Sequence, residues 1–69
     1  MMERGRLHSW NCDRGYGFVR REAGRRDGFL HVSEVVEEIN VGDLLEFDIR
    51  EDVKGPRVLA ARRARGAAQ

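Results

Sequence analysis

The stretch Asp13-Arg14-Gly15-Tyr16-Gly17-Phe18-Val19-Arg20-Arg21 constrains this chain more than any other. Two aromatics stand two residues apart, each preceded by glycine, with arginine at both ends. Alternation at this period belongs to a strand. Tyr16 and Phe18 then project from one face, and Gly15, Gly17 and Val19 share the other. Arg20 has the parity of the rings. Burying the rings would bury Arg20 with them, and an unpaired buried charge is costly. Turning Val19 inward keeps Arg20 in water, so the rings are expected on the outer face. The glycines behind them permit tight curvature or close backbone approach. Flat rings beside guanidinium groups are the means by which single-stranded nucleic acids are held without regard to sequence.

Length and composition narrow the field. A chain of 69 residues makes one small domain that buries only roughly 60% of its unfolded surface. Cys12 is the single cysteine, so no intramolecular disulfide can form. His8, Cys12 and His31 lack the spacing of a zinc set, and neither metal nor cofactor is expected. No apolar run reaches the ~18 residues of a membrane span, and the N-terminus lacks a signal-peptide core. A cytoplasmic monomer with no membrane partner and no small-molecule substrate is the expectation. The net charge of +1 conceals a segregation: residues 1–33 carry seven Arg against four acids, 34–53 carry eight acids against Arg50, and 54–69 carry Lys54 and four Arg with no acid. A basic first half and tail around an acidic middle suits a polyanion, with the acidic stretch kept off its backbone. Twelve arginines against one lysine favour hydrogen bonding to, and stacking on, bases.

Taken in order, residues 1–4 form a short leader, and Gly5 to Asn11 the first strand with Leu7 facing the core. Asn11-Cys12-Asp13 is a turn. The second strand runs from about Gly15 to Arg21, and a charged loop over 22–26 leads to a third at Asp27 to Val32. There Phe29 and His31 share one face and Leu30 takes the other. Ser33 to Asn40 reads as a turn of helix plus loop, with Val35, Val36 and Ile39 apolar and Glu34, Glu37 and Glu38 solvated. Leu44 to Arg50 is the fourth strand, turning Leu45, Phe47 and Ile49 to one side, with Phe47 as core. Residues 51–56 are a hairpin loop, Arg57 to about Arg63 the fifth strand, and 64–69 a flexible tail whose neighbourhood holds the basic run Arg62, Arg63, Arg65.

Residues Arg14 to Val19 satisfy the RNP1 consensus Lys/Arg-Gly-Phe/Tyr-Gly/Ala-Phe-Val-x-Phe/Tyr, which fails only at its last position, Arg21. An RRM needs a strand and a helix before RNP1, and the 13 residues ahead of Arg14 are too few. Five short strands fit an all-β, five-stranded antiparallel OB-fold barrel.

The chain resembles the bacterial cold-shock proteins over about residues 5–63. The resemblance rests on Gly5-Arg6-Leu7-His8-Ser9-Trp10-Asn11 as first strand, Arg14 to Val19 as RNP1, and Asp27-Gly28-Phe29-Leu30-His31-Val32-Ser33 as RNP2. Gly42-Asp43 and Lys54-Gly55-Pro56 also match. It implies an OB-type barrel that binds single-stranded DNA or RNA through the RNP face, as an RNA chaperone. By the same resemblance, Tyr16, Phe18, Phe29 and His31 occupy stacking positions, Arg14 is the basic residue opening RNP1, and Asn11 and Asp27 flank the site. His8, Trp10 and Arg57 complete the candidate set. Departures are specific. Ser9 stands at the family tryptophan position and Trp10 at the phenylalanine after it. Val32 replaces the last RNP2 aromatic, the loop that follows is shorter, and His8 replaces a lysine. A trimmed platform with weaker binding or a shorter footprint follows, and Trp10 is open to either ligand contact or packing. The competing reading is a protein-interaction or ribosome-associated module whose RNP face is partly retired. No nucleophile–base pair or phosphate-cradling loop suggests an enzyme.

Overall fold

Alternating apolar and polar residues build each wall of the molecule. A computed structural model describes residues 2–22 and 25–64. Its strands are β1 (Glu3–Asn11), β2 (Tyr16–Arg21), β3 (Gly28–His31), β4 (Leu44–Asp52) and β5 (Gly55–Arg63), with one 3-10 turn at Val32–Glu34. They close into a barrel in the order β1-β2-β3-β5-β4. Four of the contacts are antiparallel, and β3 meets β5 in parallel at Phe29 and Arg57. An odd number of strands cannot close with alternating directions throughout, so the expected antiparallel barrel must contain one parallel seam.

The inward residues are those that alternation selects. Leu7, Val19, Leu30, Leu45, Phe47, Val58 and Ala61 are all buried and form one core, with Trp10, Val35, Ile39 and Ile49 packed against it. Full burial of a side chain such as Phe47 contributes about 1.5–3 kcal/mol. β1 begins at Glu3 rather than Gly5, because Glu3 and Arg4 pair with Phe47 and Glu46 of β4. The hairpin between β4 and β5 is tighter than the expected 51–56 loop. Asp52 pairs with Gly55, leaving Val53 and Lys54 as its turn. The expected flexible tail begins at Ala64, whose N–H still donates to Leu44 O at 2.8 Å; Arg65 and the rest of that tail lie outside the described residues, as do residues 23 and 24 of the charged loop.

The turn of helix expected after β3 is present but sits earlier in the segment. The 3-10 turn starts at Val32, and Val35 then bridges in parallel to Ala61. Val35 and Ile39 pack on the core while Val36 stays exposed. Nor are Glu34 and Glu37 merely solvated. Glu34 Oε1 accepts from Ala60 N at 3.1 Å, and Glu37 Oε2 accepts from Arg63 N at 2.8 Å. Ala60 has φ 54°, a left-handed conformation unfavourable to an L-residue. It lies where the β4–β5 register shifts, which takes its N–H out of the ladder and leaves Glu34 as the acceptor. Glu34→Ala is therefore expected to lower the unfolding free energy by about 1–2 kcal/mol, the usual cost of stranding a part-buried donor. A fall in the urea midpoint with unchanged slope is the measurement.

Candidate nucleic-acid interface

The platform is set by register. Tyr16 pairs with His31 and Phe18 with Phe29 across β2 and β3, so four ring-bearing residues share the outer face. Between them Val19 and Leu30 are fully buried, and Arg20 is exposed as parity requires. Tyr16 and Phe29 lie 5.4 Å apart between centroids and tilted by 35°, and Phe18 stands edge-on to both, at 6.3 Å from Tyr16 and 5.8 Å from Phe29. Those separations are typical of favourable aromatic pairs. They hold the three rings in one cluster that still presents surface, with Phe18 40% exposed.

His31 is fixed by its own chain. Its Nδ1 accepts from Ser33 N at 3.1 Å and lies 2.9 Å from Ser33 Oγ. In the neutral ring the proton then sits on Nε2, leaving that nitrogen as the ring's donor. Asn11 acts on the β1–β2 turn. Its Oδ1 accepts from Arg14 N at 3.1 Å, and its carbonyl accepts from Gly15 N at 2.8 Å. Gly15 has φ 72°, which a side-chain-bearing residue adopts at a cost. The turn places the exposed Arg14 at the Tyr16 end of β2. Gly17 serves differently: a Cβ there would run into Ser9 O and into Trp10 Cε3. Its absence lets β1 lie close behind the ring-bearing strand.

Trp10 is resolved by a bulge. Leu7 pairs with Val19, but the register shifts so that Ser9 pairs with Phe18 and Trp10 with Gly17. Strict alternation from Leu7 would have put Ser9 inside and Trp10 outside. The extra residue, exposed His8, reverses them. Trp10 packs over Gly17 and against the core, apart from the ring cluster, while Ser9 stands beside Phe18 where a larger side chain would extend the platform.

At the other end of the rings, an open groove is lined by Phe18, Phe29, Asp52, Lys54, Pro56 and Arg57. It continues past the same two rings to Arg26 and Asp27. Arg57 is the β5 partner of Phe29. Its Nη1 lies 3.6 Å from Asp52 Oδ2, with both side chains well exposed, a pair worth little in water and therefore open to exchange for a ligand. Lys54, Pro56, Asp52 and Arg26 were not among the candidates read from sequence. The Lys54-Gly55-Pro56 match was the available signal, but only the tight hairpin and the β3–β5 seam bring it to Phe29.

The acidic middle is mostly consumed in the fold. Glu34, Glu37, Asp43, Glu46 and Asp52 each accept a hydrogen bond from the barrel or its turns. Arg21, where RNP1 calls for an aromatic, is buried at 7% exposure. Its Nε and Nη2 donate to the two carboxylate oxygens of Glu3 at 3.0 and 2.9 Å, and Nη1 donates to Arg26 O at 3.3 Å. The Arg21 hydrogen bond holds the Glu3 carboxyl below the ordinary glutamate range against an opposing effect of burial, with help from the charges of Arg21 and Arg25. The sequence reading missed this pair, although Arg21 shares the inward parity of Val19. Among the described residues no cluster of His, Cys, Asp and Glu could hold a metal ion, and no helix is long and apolar enough to cross a membrane.

Comparison with known proteins bears on this geometry. The 'Cold-shock' DNA-binding domain family model matches residues 3–62. A cold shock-like protein of Aquifex aeolicus is 39% identical over 61 residues, covering 83% of this chain and 87% of its own length. The cold shock-like protein CspC of Bacillus cereus is 35% identical over 57 residues, covering 77% and 86%. Among solved structures, the drosophila Unr CSD456 superposes with a TM-score of 0.78 at 22% identity; it covers all of this chain, which spans 29% of that one. That likeness carries the fold, and the family model carries the kinship: this chain belongs to the cold-shock domain family.

Proposed function

We propose that this chain binds single-stranded RNA or DNA by stacking unpaired bases on Tyr16, Phe18 and Phe29, with His31 at the edge of the platform. Arg14 at one end and Lys54 and Arg57 at the other supply donors to phosphates or base edges. Asn11 acts by shaping the turn that carries Arg14, and Asp27 lines the far end of the groove. The observation that carries this reading is the three-ring cluster on the outer face of β2 and β3. A duplex hides the faces of its bases and so cannot use such a surface. Mass action then gives a chaperone-like effect: binding the unpaired state shifts weak hairpins toward it by the binding free energy available, with no hydrolysis. The platform has three rings and a histidine, with Ser9 and Val32 at positions an aromatic would fill, so a short footprint follows.

The test is fluorescence anisotropy of a labelled oligothymidylate against a duplex of equal length, at several salt concentrations. The single strand is expected to bind preferentially, with log affinity falling by about 0.7 per phosphate contact per decade of salt. Trp10 emission, followed in the same titration, is expected to change little because the indole packs away from the rings. Equal affinity for duplex and single strand overturns the reading. No binding at low salt favours a protein-interaction module on the same barrel.

A further inference from the structure

Beyond the rings, the outer face of β1 and β2 carries a feature that stacking does not use. Arg6 and Arg20 are direct cross-strand partners. Both are exposed, flanked in sequence by inward residues, and so stand on one face of the sheet. Like charges placed directly opposite one another destabilise a sheet unless something neutralises them. Nothing in the fold does. Arg6 Nη1 donates to Gly42 O at 2.9 Å, a neutral acceptor, and the Arg20 side chain, exposed on β2, makes neither hydrogen bond nor ion pair among the described residues. Of the carboxylates nearby, Glu46 pairs with Arg4 and Asp43 accepts from Asn40 N, and the exposed Glu22, two residues beyond Arg20, makes no ion pair with either arginine among the described residues. Asp27, which precedes β3 one residue before the Val19–Gly28 pair, makes no ion pair with Arg20.

The pair also lies in line with the platform. Phe18 and Arg20 are successive outward residues of β2, and on β1 Ser9, the partner of Phe18, and the exposed bulge residue His8 lie between the rings and Arg6. We propose that Arg6 and Arg20 form a phosphodiester clamp that receives the backbone of the strand as it leaves Phe18 along β1 and β2. Two guanidinium groups carried on one face by directly paired residues match a tetrahedral anion through their N–H donors, and the bound phosphate relieves their mutual repulsion. The place at Ser9 becomes part of the path: the strand crosses the polar surface of Ser9 and His8 and is then held by charge rather than by a further platform aromatic. This inference rests on the single-strand reading above and adds the direction in which the strand runs.

Arg20→Glu tests it, because a carboxylate opposite Arg6 creates a cross-strand ion pair and should not weaken the barrel. Arg20→Gln removes one cation only. For an oligothymidylate long enough to pass the rings, Arg20→Glu, which also occupies Arg6, is expected to reduce the slope of log affinity against log salt by about 0.7, the value for one phosphate contact, and Arg20→Gln by a smaller part of it. Thermal unfolding of Arg20→Glu is expected at or above the wild-type midpoint. A wild-type protein that binds while both variants keep its salt slope overturns the clamp and leaves the stacking reading intact. A wild-type protein that does not bind the oligonucleotide overturns both.

Discussion

Replacing Phe18 and Phe29 together by alanine is expected to weaken single-strand binding by at least about thirtyfold while the barrel stays folded. Each stacked base contributes about 1–3 kcal/mol through its aromatic partner, and about 2 kcal/mol in total already corresponds to that factor. The two rings are cross-strand partners, 5.8 Å apart, at the head of the groove that Lys54 and Arg57 line. Removing both takes away the stacking surface and the wall of the groove at once. Stability changes less, because the rings lie outside the core formed by Val19, Leu30 and Phe47. Anisotropy titration and thermal unfolding of the same preparation separate the effects. A double variant that binds as tightly as the wild type would show that the rings are not the platform.

Glu3→Gln is expected to cost about 3 kcal/mol of stability, the lower end of the range for breaking a buried ion pair, since Glu3 is itself partly exposed. The Arg21 side chain is only 5% exposed and has Glu3 as its carboxylate partner. Glutamine leaves a buried guanidinium facing a neutral amide. In a domain this small that is a large share of the total, and a fall in the melting midpoint of roughly 12–24 °C follows. The pH dependence has a definite sign. The carboxyl of Glu3 titrates lower in the folded state than in the unfolded chain. Its stabilisation is therefore present above the ordinary glutamate value and disappears as pH falls through the depressed folded value. Glu3→Gln abolishes that part of the acid sensitivity, so the variant and wild-type melting curves converge in acid. If they remain parallel across pH, the pair does not stabilise the fold. Glu3→Gln combined with Arg21→Phe, which restores the RNP1 aromatic, is expected to recover most of the loss, because apolar groups often replace buried ion pairs without cost.

Much of the architecture was legible because it depends on a period of two. Tyr16, Phe18 and Arg20 must share a face, Val19 must oppose them, and Leu45 and Phe47 must turn inward together. The same logic placed Leu30 behind Phe29 and His31. It stopped wherever the period broke. At His8 one extra residue exchanges the faces of Ser9 and Trp10, so an indole that alternation would place in solvent packs against the core. At Ala60 a left-handed residue shifts the β4–β5 register and draws in Glu34 from a segment that composition alone reads as solvated. Bulges are set by how a closing barrel bends its strands, a property of the whole sheet that no local pattern carries.

The amino-acid sequence by itself determined the strands, the outward rings and the family, because side-chain alternation and the RNP motifs are local properties of the chain. Tertiary structure alone decided the rest. Closing an odd number of strands forces β5 alongside β3, and that seam carries Lys54 and Arg57 to Phe29. The pairing of β1 with β2 sets Arg6 opposite Arg20, and the fold of the N-terminal residues brings Glu3 to Arg21. Each of these is a meeting of residues distant in the chain, and only the registers of a closed barrel can fix them.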